Sequence, residues 1–404
     1  MNIALFPSAF YPSLGGVEEL TRQLGLELQR QGHRVLIVTN RWPRDLPAAE
    51  TIDGLDVRRL PMRVPTGHWK ADLSYGLTHR QILRGVMEIL QEFQPDVLHA
   101  QCVSSTTLYA LRVRHILGIP LVVTLQGELT MDANGIFREP GIAQEILKQS
   151  LTEADLITGC SAKTLADATD RMKCQPTRRP QVIFNGARAE EFRHAVPHTA
   201  DVPYVLALGR LVHQKGFGDL LKAIPQGLPA GWTLVLAGDG PLRSEIESKL
   251  GAIELKTRVR YIGRAERAVV CQYMAGCEFV VVPSLADEGL PVVCAEAIVA
   301  GKPIIGTMMG GIPEAVEHNL NGLLVPPNDP ASLAAAIRSL ASDAVRRGAM
   351  AQAAKARAAE FCWSSITQKY LAAYLRVMRA SRRLPQAESR DWSGSAPSET
   401  ASRL

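Results

Sequence analysis

The chain has little of what marks a disulfide-built, membrane-spanning or zinc-built protein. Its seven cysteines (102, 160, 174, 271, 277, 294 and 362) are odd in number, scattered, and without a CxxC pair. That pattern speaks for a reduced compartment over a disulfide framework and leaves no legible zinc site. No segment approaches the roughly 18 consecutive apolar residues of a spanning helix. Met1 to Phe6 runs into Pro7 with no basic region or long apolar stretch, so no signal peptide is expected and the protein is read as cytoplasmic. Net charge is also scarce. The first 196 residues carry 22 cationic and 21 anionic side chains, residues 197–364 carry 16 of each, and the last forty carry 7 and 3. The formal +5 therefore sits almost wholly in the C-terminal tail, and bulk charge gives no argument for nucleic-acid binding.

What is present fits a soluble globular chain. At 404 residues it is long enough for two domains, and 46% hydrophobic with 21% charged residues is too apolar for disorder. Short apolar runs alternate with stretches of helical spacing: Ile3–Phe6, Val35–Thr39, Asp96–His99, Leu121–Leu125, Leu156–Thr158 and Val182–Phe184. A second series follows at Tyr204–Leu208, Thr233–Ala237, Val259–Ile262, Phe279–Val282, Pro303–Ile305 and Leu323–Val325. This alternation predicts two doubly wound α/β domains with parallel sheets, over residues 1–196 and 197–362. Arg193 to Pro203 has two prolines and no apolar period and reads as the linker. An Ala-rich helical stretch from Asp329 to about Glu360 precedes a last helix, 363–379, and the tail from Pro385 is expected to be disordered. Ligands of such sheets bind outside the carboxyl ends of the strands, so function is sought in the loops after them.

Gly15-Gly16 stands at the first strand-to-helix turn, where paired glycines either make a tight turn or let backbone approach a phosphate. It is not GxGxxG, and Thr39-Asn40 rather than an acid closes the second strand, which counts against a dinucleotide-dependent dehydrogenase. Arg210 and Lys215 flank the loop after the first strand of the second series. They read either as a solvated pair or as two cations converging on one anion. After the run Phe279–Val282 comes Glu288-Gly289-Leu290-Pro291-Val292, opening a helix at which the amides of Leu290 and Val292 would face an anion. Glu296 lies about one and a half turns further on, so the two carboxylates are on the order of 10 Å apart and cannot share a proton or a metal. Glu296 is set among Val292, Val293, Ala295, Ala297, Ile298 and Val299, and a carboxylate there needs a partner.

The segment Glu288 to Glu296, followed by Ala300-Gly301-Lys302-Pro303 and Gly310-Gly311-Ile312-Pro313-Glu314, resembles the signature of retaining glycosyltransferase family 4, of the GT-B fold. The likeness extends through Gly15-Gly16, Asn185-Gly186, Gly209-Arg210, Lys215-Gly216, Gly238-Asp239-Gly240-Pro241 and Asn321 to Pro326. It implies two Rossmann-like domains facing each other across a cleft, the last helix crossing back onto the first. It also implies transfer of a sugar from a nucleotide diphosphate donor, UDP by family frequency, to a hydroxyl of a glycan, glycolipid or small-molecule acceptor. By the same resemblance Glu288 contacts the donor sugar and Glu296 the ribose. Arg210, Lys215, Gly15 and Gly16 serve the diphosphate, and Arg264 falls where contacts to the base are made. None of the sixteen aspartates lies two residues from another, so the DxD motif of metal-dependent glycosyltransferases is absent and no divalent cofactor is expected. An epimerase or phosphorylase on the same fold, or a non-catalytic nucleotide-sugar binder, is the alternative.

Two positions depart from the family pattern. Where many relatives read Thr-x-His-Gly this chain has Thr124-Leu125-Gln126-Gly127-Glu128, and Gln126 can hydrogen-bond but cannot titrate near neutrality. Gln126 either orients the acceptor through its amide or marks a loss of activity; Glu128 and Asp132 either contact the acceptor or are solvated. His99-Ala100-Gln101 replaces an HxH pattern, and His99 is either an acceptor-side contact or a packed core histidine. His68, Trp69 and Tyr75 fall where the acceptor pocket is shaped. Lys369, Arg376 and Arg379 on the last helix, and Arg382 and Arg383 after it, face either solvent or an anionic bilayer.

Overall fold

The computed structural model describes residues 1–13, 15–64, 69–129, 137 and 141–381. His68, Asp132, Arg382, Arg383 and the tail from Pro385 lie outside the described residues. The apolar runs form the strands of two sheets. In the first unit these are β1 (Asn2–Pro7), β2 (Arg34–Asn40), β3 (Ala49–Ile52), β4 (Leu55–Leu60), β5 (Val97–Gln101), β6 (Leu121–Leu125), β7 (Leu156–Gly159) and β8 (Gln181–Val182). They lie in the order β3-β4-β2-β1-β5-β6-β7-β8, parallel throughout except for β3 against β4. The second sheet comprises β9 (Tyr204–Leu208), β10 (Thr233–Ala237), β11 (Val259–Tyr261), β12 (Phe279–Val282), β13 (Ile304–Thr307) and β14 (Gly322–Val325). Its order, β11-β10-β9-β12-β13-β14, is the doubly wound one, all parallel. The α/β architecture with two Rossmann-like sheets is thus as the sequence predicts.

Strand order decides where a ligand can sit. In each sheet the first strand is flanked by its successor on one side and by a later strand on the other. The loops after β1 and β5, and after β9 and β12, therefore part in opposite directions and open a crevice. The motif-bearing loops are these: Gly15-Gly16 follows β1, Arg210 and Lys215 follow β9, and Glu288 follows β12.

The crossing between the units differs from the sequence reading. The helix Ala189–Arg193, ascribed there to the first unit, packs against the helix Arg267–Gly276 of the second, and Phe192 is buried in that unit's core. The chain crosses at Ala187, before the prolines of the linker. It crosses back beside itself: Ala187 N–H donates to Phe361 O at 2.8 Å, and Trp363 N–H donates to Ala187 O at 3.2 Å. The Phe184 and Phe361 rings stack at 4.9 Å next to this bridge.

The Ala-rich stretch is two helices, Pro330–Ser342 and Ala344–Phe361. Asp343 divides them because its carboxylate accepts the Arg346 amide at 2.8 Å, an N-cap that starts the second helix. The last helix, Trp363–Ser381, lays Trp363, Ile366, Tyr370, Tyr374 and Val377 on the face of the first sheet formed by Ile3, Leu5, Ile37 and Val97. Ile366 and Val377 are fully buried, and each contributes about 1.5–3 kcal/mol by burial. On the outer side Lys369 lies over the Phe184 ring and Arg376 bonds Gln181.

Candidate active site

Two backbone devices bring Lys215 to Glu288. The loop after β9 ends in a 3-10 turn, His213–Lys215, closed by Gly216 at φ 69°. A Cβ on Gly216 would stand 1.8 Å from the Pro283 carbonyl oxygen, so only glycine lets this loop lie on the one after β12. Leu285 N–H then donates to Gln214 O at 2.7 Å and locks the two loops together. Lys215 Nζ stands 2.5 Å from Glu288 Oε2, and Ser284 Oγ donates to Glu288 Oε1 at 2.5 Å. Ser284 is fixed in turn, its carbonyl accepting from Thr307 Oγ1 at 2.6 Å. Glu288 is 6% exposed, so its carboxylate leaves water only because a cation and a hydroxyl replace the hydration.

From the other side Glu288 is held through its backbone. Gly310 N–H donates to Asp287 Oδ1 at 2.8 Å and Gly311 N–H to Glu288 O at 2.9 Å. Gly310 has φ 53°, and a Cβ there would stand 2.0 Å from Glu288 O. The glycine pair is therefore required for these two loops to touch.

The helix opening after this loop starts at Val292, with Pro291 as its N-cap residue rather than its first helical one. Leu290 is buried and its carbonyl accepts from Asn185 Nδ2 of the first unit at 3.3 Å. Glu296, 6% exposed, finds its partner in Arg267, which also bonds Glu191 through Nη2 at 2.6 Å. Burial pushes the Glu296 carboxyl up from its ordinary range while Arg267 pulls it back. Arg210 and Arg264 are both exposed, after the carboxyl ends of β9 and β11, the strands on either side of β10.

Neither Gly15 nor Gly16 is required by the turn itself. Gly15 is extended at φ −156°, and a Cβ on Gly16 would meet nothing within 4 Å.

The acceptor-side residues separate into two kinds. His99 is fully buried within β5: Nδ1 lies 2.6 Å from Tyr374 Oη of the last helix and Nε2 lies 2.6 Å from Thr124 Oγ1. Burial lowers its pKa to about 3, so it is neutral near pH 7, and its geometry is that of a packed core histidine. Gln126 is half-buried and donates through Nε2 to Gln101 Oε1 at 3.3 Å, one step from His99. A Cβ on Gly289 would stand 2.5 Å from the Gln126 carbonyl oxygen, so Gln126 faces the Glu288 loop across the cleft. Glu128 is neither free nor merely solvated: its carboxylate accepts the amides of Val103, Gln126 and Gly127 at 2.8, 3.0 and 3.1 Å. Tyr75 is buried in the first core, and Trp69, 66% exposed, opens the helix Trp69–Phe93.

Sequence reasoning missed Arg267, Ser284, Lys163 and Asp287, the last two of which approach to 3.4 Å across the cleft. Among the described residues, no group of three His, Cys, Asp or Glu side chains is placed to hold a metal ion.

Two Rossmann-like sheets, with a Lys–Glu pair in the switch-point loops of the second and a buried carboxylate on the helix that follows, fit the GT-B class of glycosyltransferases. Comparison with known proteins agrees. Residues 188–357 match the family model described as glycosyl transferases group 1, and residues 15–186 match a glycosyl transferase 4-like domain. An uncharacterized glycosyltransferase of Methanocaldococcus jannaschii is 26% identical over 93% of this chain and 98% of its own. Among solved structures, sucrose-phosphate synthase from Thermosynechococcus elongatus superposes with a TM-score of 0.76 at 22% identity, over 94% of this chain and 99% of the other. Anabaena Alr3699/HepE in complex with UDP gives 0.73 at 22%, over 93% and 100%. The chain belongs to the group 1, family 4-type glycosyltransferases of the GT-B fold.

Proposed function

We infer that the protein is a retaining, metal-independent glycosyltransferase using a nucleotide diphosphate sugar, with UDP as carrier, and a hydroxyl acceptor on a glycan, glycolipid or small molecule. The observation that carries this reading is the Lys215–Glu288 pair at the switch point of the second sheet. In transfer the anomeric C–O bond to the diphosphate breaks and a C–O bond to the acceptor forms, so negative charge grows on the leaving phosphate and positive character on the sugar ring. Lys215, Arg210 and the helix start at Val292 answer the first; Glu288 holds sugar hydroxyls beside the second. The two cations take the place a metal would have.

Among the described residues, none of the three acceptor-side candidates is placed as a free base. His99 is buried and neutral, Gln126 does not titrate, and Glu128 is spent on three backbone amides. This supports a front-face route in which the leaving phosphate oxygen takes the acceptor's proton. The open space over Gly16 supports its backbone as a phosphate contact, and the UDP complex of the Anabaena neighbour supports the choice of carrier.

Thermal-shift screening against nucleotide sugars, with and without EDTA, tests the reading. A donor at 100 times its Kd stabilises by about 2.7 kcal/mol. One class of nucleotide sugar should raise Tm equally with and without EDTA, and transfer should survive the chelator. Loss of turnover in EDTA alone would remove metal independence; turnover without an acceptor alcohol, or with free phosphate as co-substrate, would turn the reading to an epimerase or phosphorylase. Peripheral contact with an anionic bilayer through the exposed Arg376 and Arg379 belongs to the same reading. Sedimentation with anionic vesicles at low salt, reversed by high salt, is the result expected, and no sedimentation at low salt would strike that part out.

A further inference from the structure

The first two amides of a helix in the first unit are bound by a carboxylate of the second. The helix Ala162–Met172 opens at Ser161, whose Oγ accepts Thr164 N–H at 3.1 Å in the ordinary way. Its Ala162 and Lys163 amides donate to Glu314 Oε2 and Oε1 at 2.8 and 3.0 Å. A carboxylate is well suited to that end of a helix, where free amides and the dipole both favour negative charge. Glu314 follows Gly310-Gly311, the turn that binds Asp287 and the Glu288 carbonyl. Lys163 adds a second strand to the connection, bonding Asp167 of its own helix and standing 3.4 Å from Asp287. There is no slack at this point: a Cβ on Gly311 would stand 2.0 Å from Gly289 O and 2.9 Å from Ser161 Cβ.

We propose that Glu314, with Lys163, is a clasp between the units that positions the Glu288 loop against the acceptor side. It is a positioning residue, acting on the reaction through Glu288 without touching substrate, and this role rests on the transferase reading above. Apart from the Gly16 backbone, the donor contacts proposed above all belong to the second unit, so UDP binding depends on the clasp far less than transfer does. Transfer needs it, because the acceptor hydroxyl and the anomeric carbon are brought together from opposite units. Interfaces between domains of one chain are usually small and polar, so loss of two charge-assisted bonds is enough to change how the cleft closes.

Three variants are compared: Glu314→Ala, which loses both acceptors; Glu314→Gln, which keeps shape and one acceptor oxygen; and Lys163→Met. Glu314→Ala should lower kcat by about tenfold to 10²-fold, the upper figure being the cost of a displacement near 1 Å at a reacting centre, with UDP affinity within about twofold of wild type. Glu314→Gln should recover part of the loss. Combining Glu314→Ala with Lys163→Met should cost less than the product of the two, as expected for two contacts that hold the same pair of loops together. Unchanged kcat in Glu314→Ala at unchanged Tm would overturn the clasp. A fall in UDP affinity equal to the fall in kcat would also overturn it, because Glu314 would then only support the second unit. Small-angle scattering separates this from failure of the transferase reading. Should the wild type transfer no sugar, a larger radius of gyration in Glu314→Ala at low salt still upholds the clasp, and an unchanged one refutes it.

Discussion

Glu288→Ala is expected to lower sugar transfer by at least about 10²-fold while leaving UDP affinity within a few-fold. The carboxylate is buried, and both its oxygens are engaged, one by Lys215 and one by Ser284. Removing it takes away the group that would meet the sugar hydroxyls and also frees Lys215 from its set position. Glu296→Ala provides the contrast. That carboxylate sits on the other side of Pro291 and is held by a different cation, Arg267, so its loss should fall on binding. Hydrogen bonds to charged groups contribute about 1.5–3 kcal/mol, which corresponds to roughly a 10- to 100-fold weaker UDP Kd. The check is isothermal titration with UDP beside initial-rate kinetics on the two variants. If Glu288→Ala transfers sugar normally, or if both variants lose nucleotide affinity alike, the division of roles is wrong.

The fold was legible because its strands are covered by helices on both faces. β9 and β12 are then short continuous apolar runs, and β1, β5 and β6 are nearly so with one or two polar residues each, so none depends on alternation to be seen. The hairpin of β3 and β4 escaped for the opposite reason. It lies at the sheet's edge, its residues alternate between exposed and half-buried in β3 and between buried and half-buried in β4, and Arg58 and Arg59 interrupt its apolar character. Its one local signal was Asp53-Gly54, both residues with positive φ, the turn of a two-residue hairpin.

At the site the same division holds between what is near in sequence and what the crossovers bring together. Glu288 and Lys215 could be placed because each follows a strand at its carboxyl end, and the need of Glu296 for a partner could be read from its apolar neighbours. That the partner is Arg267, at the start of a helix 29 residues earlier, depends on how that helix packs. His99 shows the limit most plainly. Its place at the end of β5 suits the cleft and the core equally, and the decision is made by Tyr374, 275 residues away on a helix that returns from the other unit. Glu314 is the converse case: a motif glutamate whose binding site, two helix amides, belongs to no side chain at all.

Lys215→Ala should lower kcat/KM for transfer by about 10²- to 10³-fold, the scale on which one preorganised donor to a developing oxyanion acts. The ammonium stands where charge must move. In the structure it neutralises Glu288, and on the transferase reading a bound nucleotide sugar would set it between that carboxylate and the leaving diphosphate. Its attraction to the phosphate grows as the C–O bond breaks, so the larger share of the loss should appear in kcat and the smaller in donor affinity. Arginine is a poor substitute here. Its planar fork is longer than the compact ammonium, and the loop is fixed by Gly216 against Pro283 with no room to retreat, so Lys215→Arg should recover little. Arg210, exposed and on the same loop, should cost less than Lys215 when replaced by alanine, because its charge is better solvated. The decisive measurement is a double-mutant cycle. Lys215 and Glu288 are in contact at 2.5 Å, so the double alanine variant should be little worse than the more damaged single one. Fully multiplicative losses would mean that the two side chains act separately, and that their contact is a resting-state ion pair with no part in transfer.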